Sequence, residues 1–413
     1  MQARHVTVLG AGIVGICCAL HLQRKGFRVS VVDRLAPGEA TSFGNACMIT
    51  DSSLIPLSTP GIVQDGLKLL LDREGPLFIA PAYGLRVMPW LWRFIRAGNP
   101  AQLRHSAAAL ADLLRDALAE HHELADNTPA ARWIADDPTL FLYDNARDYH
   151  NDALNWQIKR DLGVRFDTLD GADLHALEPA LSERFQFAVR TLDHGKAVNP
   201  SKLTKAYAQW LQHGGGTLLQ REVRAIEVVD GRAVRLLTDR EALSLDILVI
   251  AAGAWSAHWS RQLGDRIPLE AEGGYHVTVQ NAGVALQHCL MYSKAKVALA
   301  DMEQGIRIAG MAEFAGIQSA TKPARSALLL KRLREVLPGI HTEHYTEWRG
   351  NRPSLPDSLP VIGPATRVKD VYYAFGNQHV GLSSGPKTGK LIAQLIAGEP
   401  TAVDVKPFRA NRF

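Results

Sequence analysis

A strand, a glycine turn and a helix at the start of the chain constrain the fold more than any other feature. Residues 4–33 read RHVTVLGAGIVGICCALHLQRKGFRVSVVD, with Gly10, Gly12 and Gly15 at G-x-G-x-x-G spacing behind a short valine-rich run. Gly10 permits a tight turn, Gly12 lets backbone approach a pyrophosphate, and Gly15 lets the helix close on the strand. The helix then opens at Ile13 and Val14 with its amides toward the phosphates. Asp33 ends the second valine-rich run, where a carboxylate accepts ribose hydroxyls, and Arg34 follows it. Triad, periodicity and acidic end together form a dinucleotide fingerprint. A plain strand-to-helix turn is the lesser alternative.

Length and charge bound what such a fingerprint can serve. A chain of 413 residues suggests about two domains. A net charge of +4 is mild for this size and does not predict nucleic-acid binding. The cysteines at 17, 18, 47 and 289 have no paired spacing, so neither a disulfide framework nor a metal site is expected. The first strand begins within five residues of Met1, which leaves no room for a signal peptide, and no apolar run reaches transmembrane length. A cytoplasmic protein is the expectation.

Further along, the loop 34–50 is rich in small polar residues, and Thr41, Ser42, Asn45 and the amides around Gly44 and Ala46 can line a pyrophosphate and the ring beyond it. A solvated turn is an equal reading of this loop alone. Residues 83–100, YGLRVMPWLWRFIRAGNP, put Arg86, Arg93 and Arg96 on one helical face. That suits a helix on a membrane surface and, as the stronger expectation, one packed on a domain. Pro89 is expected to interrupt it. Residues 101–125 predict one long helix, 200–212 a second, and 323–337 a third. The stretch up to 199 reads as less regular. Strands are expected at 217–219, 223–229, 234–238 and 245–251, the last ending in small residues that let Ala252, Gly253 and Trp255 border a ligand. The region 256–348 is strand-rich around EGGYHVTV and IRIAGMAEF. After a strand at 371–375 comes a second glycine loop and helix, with the helix starting near Ser384.

The N-terminal fingerprint, the loop TSFGNACMI, the strand end LVIAAGAWS and the pair GNRPSLPDSLPVIG and YYAFGNQHVGLSSGPKTGKLIA occur in that order. Together they resemble the flavin-dependent D-amino-acid oxidase superfamily, and most closely its bacterial D-amino-acid dehydrogenase branch. The resemblance implies an α/β fold: a Rossmann-like FAD-binding domain from residues 1–80, 190–255 and 349–413, and a substrate domain on a mainly antiparallel sheet from 81–189 and 256–348. It implies FAD rather than NAD, because an NAD domain has no use for the returning C-terminal loop. Cys289, the last cysteine, precedes the region where some relatives attach flavin, so FAD is expected to be noncovalent.

The same resemblance assigns roles. Val223 would meet the adenine through its backbone. The helix after the last glycine loop would present its positive end, with amides around Gly381, Leu382 and Ser383, to the flavin's pyrimidine side. Arg352 matches the arginine that binds the substrate carboxylate, Tyr275 a pocket tyrosine that adds a hydroxyl donor, and His379 would line the pocket. An ion pair at the domain seam, a core aromatic and a structural histidine are the respective alternatives. The implied reaction is oxidation of the Cα–N bond of an amino acid, D or cyclic, including D-proline or a hydroxy-D-proline. Hydride would go to flavin N5 and electrons to a quinone or redox protein, with the protein at most peripheral at the inner membrane face. No general base stands out. An oxygen-using oxidase of the glycine or sarcosine oxidase type, and a flavin-holding subunit of a larger complex, stay open.

Overall fold

In the computed structural model the described residues are 4–72 and 74–413. Residues 1–3, the start of the first expected FAD-domain segment, lie outside them. The valine-rich runs become parallel neighbours, His5–Leu9 beside Arg28–Asp33. Continuous apolar runs suit this position because both faces of a parallel sheet are covered. Thr217–Gln220, Ile247–Ile250, Val371–Phe375 and Val361–Pro364 complete a six-stranded sheet, of which only the last pair is antiparallel. Helices Ile13–Arg24, Pro200–His213 and Gly381–Ala397 pack into its largest core. A three-stranded antiparallel sheet from Val223–Val229, Arg232–Thr238 and Ala242–Ser244 packs into a separate core with the same sheet.

The second unit is a nine-stranded, mainly antiparallel sheet. Next to one edge of it, Glu270–Val279 pairs on one side with Gly305–Phe314 and on the other with the edge strand Tyr345–Ser354. Helix Pro323–Val336 covers one face, packing on Tyr275, Val277 and Val279. The opposite face looks toward the six-stranded unit, through contacts given below.

Four expectations change. The helix expected over 101–125 is two, Pro100–Leu114 and Ala117–Ala125, broken where Asp116 adopts φ 59° and the Arg115 carbonyl accepts from Lys387. Both pieces pack in the core of the first unit, although the sequence division put them in the substrate domain. Pro89 does not interrupt its helix, which runs unbroken over Gly84–Ala97. Pro89 is exposed, so the carbonyl that loses its partner there faces water rather than a core. The stretch before 199 is regular, supplying Thr139–Tyr143, Phe166–Asp170 and Phe187–Thr191 to the large sheet. Finally, the C-terminal helix starts at Gly381 rather than near Ser384.

Candidate active site

Steric necessity explains the first glycine turn. Gly10 has φ 117°, and a Cβ there would lie 2.3 Å from the Ala251 carbonyl oxygen; one on Gly15 would lie 2.0 Å from that of Gly10. The amides of Gly12, Val14 and Gly15 have no partner among the described hydrogen bonds. The Ile13 amide donates to Ser42 Oγ at 2.9 Å, so the second loop is tied to the helix start. Asp33 accepts from the Ala11 amide at 2.7 Å and the Leu35 amide at 2.9 Å, which fixes its carboxylate at the mouth of the turn. Beside it the Arg34 guanidinium lies 4.7 Å over the Trp255 ring, next to Ala252 and Gly253, with Val223 packed in the same cluster.

The C-terminal helix repeats this arrangement. Its first amides, Gly381, Leu382 and Ser383, have no partner among the described hydrogen bonds, and no side chain caps it. Gly381 faces Val14, Gly385 faces Ile13 and Cys17, and Gly389 rests on the Cys17–Cys18 backbone. The two helices therefore run in the same direction with their open N-termini side by side. Each such end carries about half a positive charge, so the pair is suited to one extended, electron-rich molecule. His121 Nε2 donates to the Leu382 carbonyl at 2.8 Å, and the Thr50 amide donates to Ser383 Oγ at 3.0 Å. Burial pushes the His121 pKa down to about 4, which keeps it neutral in this role.

Between these helix ends and the large sheet runs the loop of Thr41, Ser42, Gly44, Asn45 and Ala46. Three consecutive carbonyls hold it to the sheet. Arg307 Nη1 donates to those of Phe43 and Asn45, each at 3.0 Å, and His276 Nδ1 to that of Gly44 at 3.1 Å. Thr41 Oγ1 donates to the Asn351 carbonyl at 2.9 Å. Burial, then the Arg307 charge, lowers the His276 pKa to about 3, so the ring stays neutral. Trp348 stacks on His276 at 5.2 Å and fills the notch between Gly44 and Gly350. A Cβ at either glycine would sit 1.9 Å from its ring.

Arg352 lies on the same side of the sheet. Glu272 is its direct cross-strand neighbour, and Nη1 donates to Glu272 Oε1 at 2.7 Å and to the Met311 carbonyl at 2.7 Å. Nη2 reaches the Gly310 carbonyl at 3.3 Å. Those two carbonyls belong to a bulge in which Met311 takes φ 67°. Nε has no partner among the described hydrogen bonds. Ser354 Oγ donates to the other Glu272 oxygen at 2.7 Å. His379, an exposed residue, sits nearby, and desolvation by the surrounding protein and then the Arg352 charge push its pKa down to about 4. His379 is therefore neutral at physiological pH.

Tyr275 does not join this group. Three residues from Glu272 on one strand, it points to the opposite face, and its hydroxyl donates to Glu313 at 2.8 Å. Arg349 and Lys322 bind the same carboxylate. Tyr275 is thus the core aromatic of the alternative reading. The sequence-based reading missed Glu272, which with Glu270 puts two carboxylates at the start of an otherwise apolar strand, the available signal. It also missed Trp348, His276 and Arg307, whose roles depend on strand pairing. Among the described residues a surface cavity of about 690 Å³ lies beyond Trp348 and another of about 620 Å³ beside Arg34; neither includes Arg352. Helix ends and charge, not volume, mark the site. Among the described residues no group of acidic, histidine or cysteine side chains could hold a metal ion, and the four cysteines are free and buried.

Glycine cradle, paired helix ends and acidic strand end fit FAD, whose pyrophosphate the free amides of Gly12 and Val14 would hold. Known proteins agree. The family model for FAD dependent oxidoreductase (DAO) matches residues 5–395. A D-amino-acid oxidase of Bradyrhizobium diazoefficiens is 33% identical, covering 100% of this chain and 99% of its own. A D-amino acid dehydrogenase of Rhizobium johnstonii is 30% identical, covering 99% of each. In fold, the chain is similar to L-proline dehydrogenase from P. horikoshii, with a TM-score of 0.76, 18% identity and coverage of 100% and 98%. Glycine oxidase from Geobacillus kaustophilus superposes with a TM-score of 0.75 at 21% identity, covering 100% of both chains. The family model spans nearly the whole chain, and the chain belongs to the DAO family of FAD-dependent oxidoreductases.

Proposed function

We propose that the protein is a dehydrogenase that oxidises the Cα–N bond of amino acids, D-amino acids first among them, including D-proline or hydroxy-D-proline. Electrons pass to a quinone or a redox protein. Noncovalent FAD, when bound, supplies the hydride acceptor. The FAD domain comprises 1–80, 190–255 and 349–413, and the substrate domain 81–189 and 256–348, with helices 100–125 docked on the former.

The observation that carries this reading is Arg352. Its Nη1 is held by Glu272 and the Met311 carbonyl and one Nη2 hydrogen by the Gly310 carbonyl, which leaves Nε and the second Nη2 hydrogen for a substrate carboxylate. Glu272 balances the guanidinium's charge, so a zwitterionic amino acid enters a site that is neutral overall. The neutral His379 adds no charge against the substrate amine, and loss of the ammonium proton to solvent needs no dedicated base. The Gly381–Ser383 amides provide fixed dipoles for charge that develops on the acceptor side.

Bleaching of the oxidised-flavin absorbance by D-amino acids or cyclic imino acids, in an anaerobic screen of both enantiomers, is the expected result. If no amino acid bleaches it, the flavin-holding-subunit reading replaces this one. A second reading, an oxygen-using oxidase, is favoured by the 33% identity to a protein named D-amino-acid oxidase. Peroxide formed in proportion to substrate consumed would establish it; dye reduction without peroxide supports the dehydrogenase.

A further inference from the structure

Helix Gly84–Ala97 has two unlike apolar sides. One packs inward: Val87 and Trp90 are buried, Trp90 stacks on Phe94 at 5.1 Å and meets Phe314 at 5.1 Å, and its Nε1 donates to the Ser354 carbonyl at 3.3 Å. The other faces solvent. Leu85 is 92% exposed, Met88 54%, Trp92 57% and Ile95 45%. They recur at spacings of three, four and three, which makes one continuous stripe on an α-helix. Scattered exposed leucines need no explanation, but four large apolar side chains in one row do.

Charge indicates what covers the row. Arg86, Arg93 and Arg96 are all exposed and line its border, and residues 84–97 contain no acidic side chain. The Arg96 guanidinium lies 4.6 Å over the Trp92 ring, so its aliphatic stem and the indole form one amphipathic ridge. Leucine, methionine and tryptophan beside arginines suit the boundary between acyl chains and anionic headgroups. Among the described residues no helix is long and apolar enough to cross a membrane.

We infer that the outer face of helix Gly84–Ala97 docks the protein on an anionic lipid bilayer, with Leu85, Met88, Trp92 and Ile95 entering the interface and the three arginines contacting headgroups. The inference goes beyond the proposed reaction and does not depend on it, since docking is read without substrate. It places the contact on the element whose inner side bonds Ser354, the residue that holds Glu272 against Arg352.

The test is sedimentation of the FAD-loaded protein with vesicles of phosphatidylglycerol and phosphatidylcholine, compared with phosphatidylcholine alone. Binding is expected to the anionic vesicles at low salt, weakened as salt rises. The double variant Leu85→Glu, Trp92→Glu should lose at least about tenfold in partitioning, while dye-coupled turnover in solution stays unchanged and shows that it folds. Removing an arginine, Arg93→Ala or Arg96→Ala, should cost about fivefold each, from ~1 kcal/mol per basic residue. Because the native cysteines are all buried, Leu85→Cys can also carry a polarity-sensitive fluorophore, and its emission should shift to the blue on anionic vesicles. Wild-type protein that stays in the supernatant at low salt overturns the inference, as does a label that does not respond. So does a double variant that changes the protein's oligomeric size without any vesicle binding by the wild type, which would assign the face to a second copy of the chain.

Discussion

The two faces of the central sheet carry the same chemistry to different ends. Toward the nucleotide unit, Arg352 pairs with Glu272; on the other side, under helix Pro323–Val336, Arg349 pairs with Glu313. The second pair is enclosed: Glu313 takes bonds from Tyr275, Lys322 and Arg349, and is 1% exposed. Its carboxylate is shared among three donors, and the Arg349 nitrogen that remains without a partner among the described residues, Nη2, is buried. The first pair is held from one side only and keeps an edge of its guanidinium open. An arginine's neighbours, rather than its presence in a buried strand, decide whether it fastens a fold or receives a substrate.

Changes on each face should therefore separate stability from catalysis. On the enclosed face, Glu313→Gln leaves Lys322 and Arg349 without their anion and should cost about 3–5 kcal/mol of stability. Chemical denaturation should show this while KM of the folded fraction changes by less than about twofold. On the open face Arg352→Ala should do the opposite, lowering kcat/KM for amino acids by roughly 30- to 5,000-fold, from the ~2–5 kcal/mol of a desolvated charge-assisted contact. Bound flavin should be retained. Tyr275→Phe should cost about 1.5–3 kcal/mol of stability for one hydrogen bond to a carboxylate; a tenfold rise in KM would break the assignment of this residue to the enclosed face.

Acid should also distinguish the faces. The folded-state pKa of His276, about 3, lies below its ordinary value of 6.5. The unfolded chain then takes up the proton first, so stability is complete above about pH 6.5 and falls as pH drops toward 3. Burial alone would raise the Glu313 pKa, but bonds from Lys322, Tyr275 and Arg349 outweigh it and hold the carboxyl below its ordinary 4.5. Its contribution is complete above about pH 4.5 and is lost only below that. His276→Gln, which keeps a donor for the Gly44 carbonyl, should reduce the loss of stability between pH 6.5 and 4.5, a window that Glu313→Gln leaves alone. His21, His121 and His379 are shifted the same way, so the slope becomes shallower without vanishing. Thermal unfolding across pH is the measurement.

How much of this was legible depends on the distance over which each feature is decided. The turn at Gly10, the acidic end at Asp33 and the glycine loop before Gly381 are local backbone requirements, and residue type alone reveals them. Pairing is not local. Alternation puts Glu272 and Tyr275 on opposite faces, but which of them shares Arg352's face follows only when Glu272 is set opposite Arg352. The parallel approach of the two helix ends rests on Gly385 and Gly389 meeting Cys17 and Cys18, and small residues in a helix carry no sign of their partner. Strands such as Thr139–Tyr143 and Phe187–Thr191 span too few residues for periodicity to show. The break at Asp116 coincides with a long-range bond from Lys387 to the Arg115 carbonyl, which no local signal reveals.

The central claim, that the open edge of Arg352 receives an amino-acid carboxylate against the flavin, is tested most directly by anaerobic bleaching with matched ligands. An amino acid that reduces the wild-type holoprotein should fail to do so as its amino alcohol, and should fail equally with Arg352→Ala that still carries FAD. Bleaching by the amino alcohol at the same rate, or undiminished reduction of Arg352→Ala, would contradict it.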